Sequence, residues 1–181
     1  MVSNDRLDMD VVLDQPPPSA MPLTLLLALP RPKALKRILQ AVAAMGVKRI
    51  VLIHTWRVEK SFWESPTLES ASVREQLILG LEQARDTVLP EVTVRRRFKP
   101  FVEDELPALV GDTRALLAHP AASQRCPHGV IGRVTLAVGP EGGFTEYEIA
   151  QLAGRSFEPV SLGPRPLRVE HAVPALLGRI F

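Results

Sequence analysis

From residue 21 onward, short apolar runs alternate with stretches whose apolar residues recur at helical spacing. LTLLLALP (23–30) is an unbroken apolar run stopped by proline, the pattern of a strand buried on both faces. Lys33 to Met45 carries Leu35, Ile38, Leu39 and Val42 on one stripe and closes at Gly46, which predicts a helix with a glycine C-cap. KRIVLIHT (48–55) is a second strand. WRVEKSFWESP (56–66), with both tryptophans of the chain, reads as a loop. Leu68 to Leu89 is expected to be one long helix, with Leu77, Leu81, Ala84 and Val88 aligned. Four further strands follow in VTVRRRF (92–98), RALLAHP (114–120), RVTLAVG (133–139) and FEPVSLG (157–163). VEDELPALV (102–110) is a short helix that tolerates Pro107. TEYE, from Thr145 to Glu148, has the form of a capping box and opens another helix. The last helix runs from about Glu170 to the C-terminus.

Strands that alternate with helices imply an α/β fold: a parallel sheet with helices on both faces. Ligands of such sheets bind at the carboxyl ends of the strands. Three strands end in loops rich in Gly or Pro: LLAHPAA (116–122), VGPEGG (138–143) and SLGPRPLR (161–168). The stretch VGPEGGF fits neither the dinucleotide pattern G-x-G-x-x-G nor a P-loop, since no Gly-Lys-Ser/Thr follows. By itself it reads more readily as a tight turn that caps a helix.

Upstream, RLDMDVVLD (6–14) partly alternates and predicts one strand, and QPPPSAMP is a linker that proline keeps out of ladders and helices. We therefore divide the chain into residues 1–20, a strand and linker, and residues 21–181, a single domain. The length of 181 residues suits one well-buried domain. A net charge of +2 permits a nucleic-acid partner without requiring one. The lone Cys126 excludes an internal disulfide, and four scattered histidines offer no metal-ligand spacing, so no metal is expected. The apolar stretch 23–29 is too short to span a bilayer and the N-terminus is polar and acidic, so no membrane role and a cytoplasmic location are expected.

LAVGPEGGFTEYEI followed by VSLGPRPLRVE resembles the paired signature of the SPOUT-class RNA methyltransferases. The match is nearest the RsmE branch, which methylates N3 of a uridine in 16S ribosomal RNA. Gly139 to Phe144 match its first block, and Leu162, Gly163, Arg165, Leu167, Arg168, Glu170 and Ala172 its second. ALPRPKALKRILQAVAAMGVKRIVLI resembles that family's opening βαβ unit. The resemblance implies a deep trefoil knot in the C-terminal part, a homodimer, and S-adenosylmethionine held by the knotted loops. It implies a cofactor site of Leu117, Ala118, Pro120, Gly139, Pro140, Glu141, Gly142, Gly143, Leu162, Gly163 and Leu167. Chemistry agrees: this cofactor carries no phosphate, and its adenine suits an apolar slot with backbone donors and acceptors. Glycines let backbone approach closely, and prolines reduce the ordering needed on binding. Relatives of this branch carry a PUA-like β-barrel at the N-terminus. RLDMDVVLD resembles its final strand, so residues 1–20 are expected to be its remnant, with weakened RNA affinity and an intact cofactor site.

Methylation at N3 requires loss of a proton and develops charge on the base oxygens, which an arginine stabilises and a carboxylate relieves by accepting the proton. Arg165 and Arg168 are the candidates for charge stabiliser or phosphate clamp. Glu170 is the candidate base, or the group that orients an arginine; the bland alternative is a carboxylate that caps the last helix. Val169 and His171 stand where the family has threonines, and Pro166 replaces an aliphatic residue. Arg95, Arg96, Arg97 and Lys99, and Arg31, Lys33, Lys36 and Arg37, are candidate phosphate contacts or solvated faces. Trp56 and Trp63 either stack on bases or pack in the core or a dimer. The competing reading is a catalytically weak or inactive knotted homodimer that binds RNA or cofactor.

Overall fold

The computed structural model describes residues 9–12 and 14–181. Its six strands are β1 (Met21–Ala28), β2 (Val47–Ile53), β3 (Glu91–Arg95), β4 (Arg114–Ala118), β5 (Val134–Val138) and β6 (Glu158–Val160). All pair in parallel, in the order β3-β2-β1-β5-β4-β6. Residues 23–28 of β1 and all of β5 are buried. Successive strand residues point to opposite sides, so both faces of the sheet centre are covered.

The helices are α1 (Pro32–Ala44), α2 (Ser70–Ala84), α3 (Phe98–Pro100), α4 (Leu106–Val110), α5 (Glu146–Ala153) and α6 (Val169–Ile180), with a π-turn at Phe101–Glu105 joining α3 to α4. Right-handed crossovers put α1 and α2 on one face and the α3–α4 segment and α5 on the other. Two contacts agree with that division. Helix α1 packs against both α2 and α6. On the opposite face Arg155 Nε, beyond the end of α5, donates to the Val102 carbonyl at 3.1 Å.

Three local expectations are corrected. Helix α2 stops at Ala84, because Arg85 takes a left-handed φ of 53° and caps it. The anticipated N-terminal strand lies partly outside the described residues; Met9–Val12 and Asp14 carry no regular structure. The predicted loop 56–66 contains short 3₁₀ turns at Lys60–Glu64 and from Pro66. The capping box of α5 forms as read: the Thr145 hydroxyl accepts from the Glu148 backbone N–H and the Glu148 carboxylate accepts from the Thr145 backbone N–H.

Because every strand is parallel, all their carboxyl ends share one edge of the sheet. The order reverses between β1 and β5, the place where such sheets bind their ligands.

Candidate functional site

A cleft of about 520 Å³ lies beside that reversal point, at the carboxyl ends of β4 and β5. One wall is the loop after β5, Gly139 to Phe144; the other is Pro166 to Val169, leading into α6. Ala118, His119 and Pro120 from the end of β4 and Arg57 from the loop after β2 also line it. A smaller cleft of about 80 Å³ adjoins it, sharing Ala118, Pro120 and Leu167 and adding Leu162 and Arg165. The two motif blocks, separate in sequence, thus converge.

Glycine is required at specific points of this wall. A Cβ on Gly139 would sit 3.1 Å from the Phe144 amide nitrogen, and Gly143 has a φ of +71°. Gly163 has a φ of +137°, and the Arg125 guanidinium fills the space its Cβ would need. It lines neither cleft. Leu117 does not line them either; it is fully buried in the sheet centre, between Ala137 of β5 and Pro159 of β6.

Supporting residues come from two other loops. After β1, Arg31 donates its backbone N–H to Glu141 Oε1 (3.1 Å) and its Nη2 to Glu170 Oε1 (3.1 Å). It therefore ties the loop after β5 to the start of α6. Arg37 Nη1 stands 3.9 Å from the same Glu170 oxygen. The Glu170 side chain is 2% exposed, and its Oε2 has no hydrogen-bond partner among the described residues. Its carboxyl is held below the ordinary value of 4.5, first by its own backbone N–H and then by Arg31, against the opposing effect of burial. After β2, Arg57 Nη1 donates to the Gly142 carbonyl at 2.5 Å and reaches that of Phe144 at 3.5 Å. The neighbouring Trp56 N–H donates to Glu148 Oε1 at 2.7 Å.

Sequence reasoning found both motif walls. It missed Arg57, whose only signal is its place just past the carboxyl end of a strand, and it read Arg31 only as part of a basic face. Arg165 and Arg168 are exposed, Arg168 on the larger cleft and Arg165 on the smaller. Val169, which stands in place of a threonine, lines the larger cleft, whereas His171 faces solvent.

A rigid glycine- and proline-lined cleft with two arginines at hand suits a nucleoside-like ligand with a charged end. The chain is 34% identical over 155 residues to the ribosomal RNA small subunit methyltransferase E of Treponema pallidum, covering 83% of this chain and 58% of that protein. Against the corresponding enzyme 1 of Borreliella burgdorferi it is 29% identical, covering 83% of this chain and 63% of the relative. The chain thus spans about 60% of the length of these curated relatives. A methyltransferase of Legionella pneumophila solved with bound S-adenosylmethionine superposes with a TM-score of 0.69 at 29% identity, over 86% of this chain and 64% of that one. The small subunit methyltransferase E of Neisseria gonorrhoeae, also solved with S-adenosylmethionine, gives 0.70 at 25% identity, over 92% and 67%. The model of the RNA methyltransferase domain family matches residues 17–181, a span that takes in the whole sheet and both walls of the cleft, and the chain belongs to that family.

Proposed function

We propose that this chain transfers a methyl group from S-adenosylmethionine to N3 of a uridine in 16S ribosomal RNA. The observation that carries the reading is the convergence of the Gly139–Phe144 loop and the Pro166–Val169 segment on one cleft at the carboxyl ends of β4 and β5. The cofactor fits what lines it: Ala118, Pro166 and Leu167 offer an apolar slot, the glycine loop offers close backbone, and Arg57 and Arg168 offer cations for a carboxylate end. When bound, the cofactor supplies an electrophilic methyl carbon on sulfur, so positioning accounts for much of the catalysis.

Arg168, exposed on the cleft, is the candidate to stabilise charge on the base oxygens, with Arg165 on the adjoining cleft as phosphate clamp. The geometry favours Glu170 as a positioning residue. It is enclosed, engaged by Arg31 and a weakened base, all of which suit holding Arg31 across the two motif loops.

A trefoil knot and a homodimer belong to the same proposal. The segment after β4 supports the knot: Cys126 N–H donates to the Ser161 carbonyl (2.8 Å), Val130 N–H to the Ile180 carbonyl (2.8 Å), and Arg179 Nε to the Cys126 carbonyl (3.2 Å). That segment therefore lies over both β6 and the end of α6.

The test is transfer of labelled methyl from S-adenosylmethionine to unmodified small ribosomal subunits. Wild type is expected to label a 16S uridine. Gly142→Trp should abolish transfer, because a Cβ there already stands 3.1 Å from Arg57 Cδ on the cleft wall. Calorimetric binding of the cofactor without transfer would favour the binding-protein reading, with Val169 in place of the cleft threonine as its cause.

A further inference from the structure

A second pocket, of about 400 Å³, opens on the other side of the loop that walls the cofactor cleft. It is lined by the end of β2 (His54, Thr55, Trp56), the start of the α3 segment (Phe98, Lys99) and the first turn of α5 (Thr145, Tyr147, Glu148). Its volume lies within the roughly 300–1,000 Å³ of small-molecule sites. Trp56 is 84% exposed and Tyr147 53%, although large aromatics usually bury most of their surface.

The two tryptophans have parted roles. Trp63 stands behind the pocket: its indole N–H donates to the lining residue His54 at Nδ1 (2.8 Å), and Arg96 lies 5.2 Å from its ring centre. The Trp56 ring is free in solvent while its backbone is pinned by Glu148. Both Glu148 oxygens are occupied: Oε1 accepts from the Trp56 N–H (2.7 Å), and Oε2 accepts from the Thr145 amide (2.8 Å) and hydroxyl (3.0 Å). Lys99 supplies a cation with 63% of its side chain exposed, loosely paired with Glu103 at 3.7 Å, a surface pair that an RNA phosphate can displace. Thr55, 1% exposed, contributes a hydroxyl without a hydrogen-bond partner among the described residues.

Exposed aromatic planes beside a cation, with the lining carboxylate of Glu148 occupied by its own donors, match the chemistry that holds unpaired nucleotides. We propose that this pocket is a stacking slot for one nucleobase of single-stranded RNA, flanking the nucleotide that is methylated. The proposal rests on the reading of the chain as an RNA methyltransferase. Consecutive residues link the slot to the cofactor cleft: Trp56 of the slot is bonded to Glu148, and the adjoining Arg57 of the cleft to Gly142. A flanking base held here would fix the RNA relative to the cofactor without touching it.

The test is titration of the whole chain with a short oligouridine at low salt, followed by indole fluorescence. Binding is expected to quench wild-type emission, and Trp56→Ala should bind the oligouridine roughly 5- to 150-fold more weakly. The affinity of that variant for S-adenosylmethionine, measured by calorimetry, should be unchanged. Because the ring is exposed, the substitution removes no core contact. A Trp56→Ala variant with wild-type RNA affinity overturns the slot. So does a variant that instead breaks up a dimer in the ultracentrifuge, which would assign Trp56 to a contact between copies. Failure of wild type to bind S-adenosylmethionine would remove the methyltransferase reading, and the oligouridine titration would still decide the slot.

Discussion

Glu170 joins two demands in one side chain. A carboxylate in the first turn of α6 suits the positive end of that helix, and the same carboxylate anchors Arg31 between the two motif loops. Its folded-state pKa is lowered, so the stability it contributes is fully present above about 4.5 and is lost as pH falls through the lower folded value. Glu170→Gln should therefore cost about 1–3 kcal/mol in urea unfolding at pH 7, the lower part of that range reflecting the partial exposure of Arg31. The gap between variant and wild type should shrink as pH is taken below 4.5. A gap that stays constant across that range would mean that Glu170 is already protonated at neutral pH. Arg31 itself illustrates what a linear reading conceals, because its partners Glu141 and Glu170 lie 110 and 139 residues away.

Between elements, the tightest approach is that of α1 to α2. A Cβ on Gly80 would overlap the Gln40 carbonyl oxygen and stand 2.8 Å from the Ala43 Cβ. Alanine in place of glycine within a helix normally gains up to about 1 kcal/mol from propensity. Here Gly80→Ala should instead destabilise by about 1–3 kcal/mol, since the helices must separate to admit the methyl group. Thermal unfolding checks the sign, and a raised Tm would refute the close contact. The same pair of helices shows what the sequence carries and what it does not. Helix α1 was legible from its stripe and from Gly46, whose φ of +83° ends it. The end of α2 was not, because the apolar stripe runs on to Val88 while the chain turns at Arg85. There Asp86 leaves the helix to accept Lys48 Nζ at 2.6 Å and the Val88 N–H at 2.9 Å. That exchange depends on a lysine 38 residues away, outside any local window. The site divides in the same manner. Its glycine and proline loops are contiguous blocks and could be read directly. Arg57 and the Trp56 slot arise only once the strand order sets the ends of β2 and β5 near each other.

For the molecule as a whole, that strand order has a temporal meaning. The central strand β1 is complete at residue 28, but its neighbour β5 spans residues 134–138, and Leu23 pairs with Val134. During synthesis at about 5–20 residues per second, the 111 residues between Leu23 and Val134 take roughly 6–22 s to appear. Strand β2 and helix α1 are available early and can shield one edge and one face of β1. Its other edge, carrying LTLLLAL, remains an open ladder of apolar residues until β5 arrives. Chains halted at Gly132 should accordingly aggregate or stay bound to chaperones, whereas full-length chains are released; soluble, unbound halted chains in a sedimentation assay would contradict this. Pairing over such separations is slow in its own right. The arrangement that brings two distant motifs to one cleft thus leaves the nascent chain with its most apolar edge uncovered for most of its time on the ribosome.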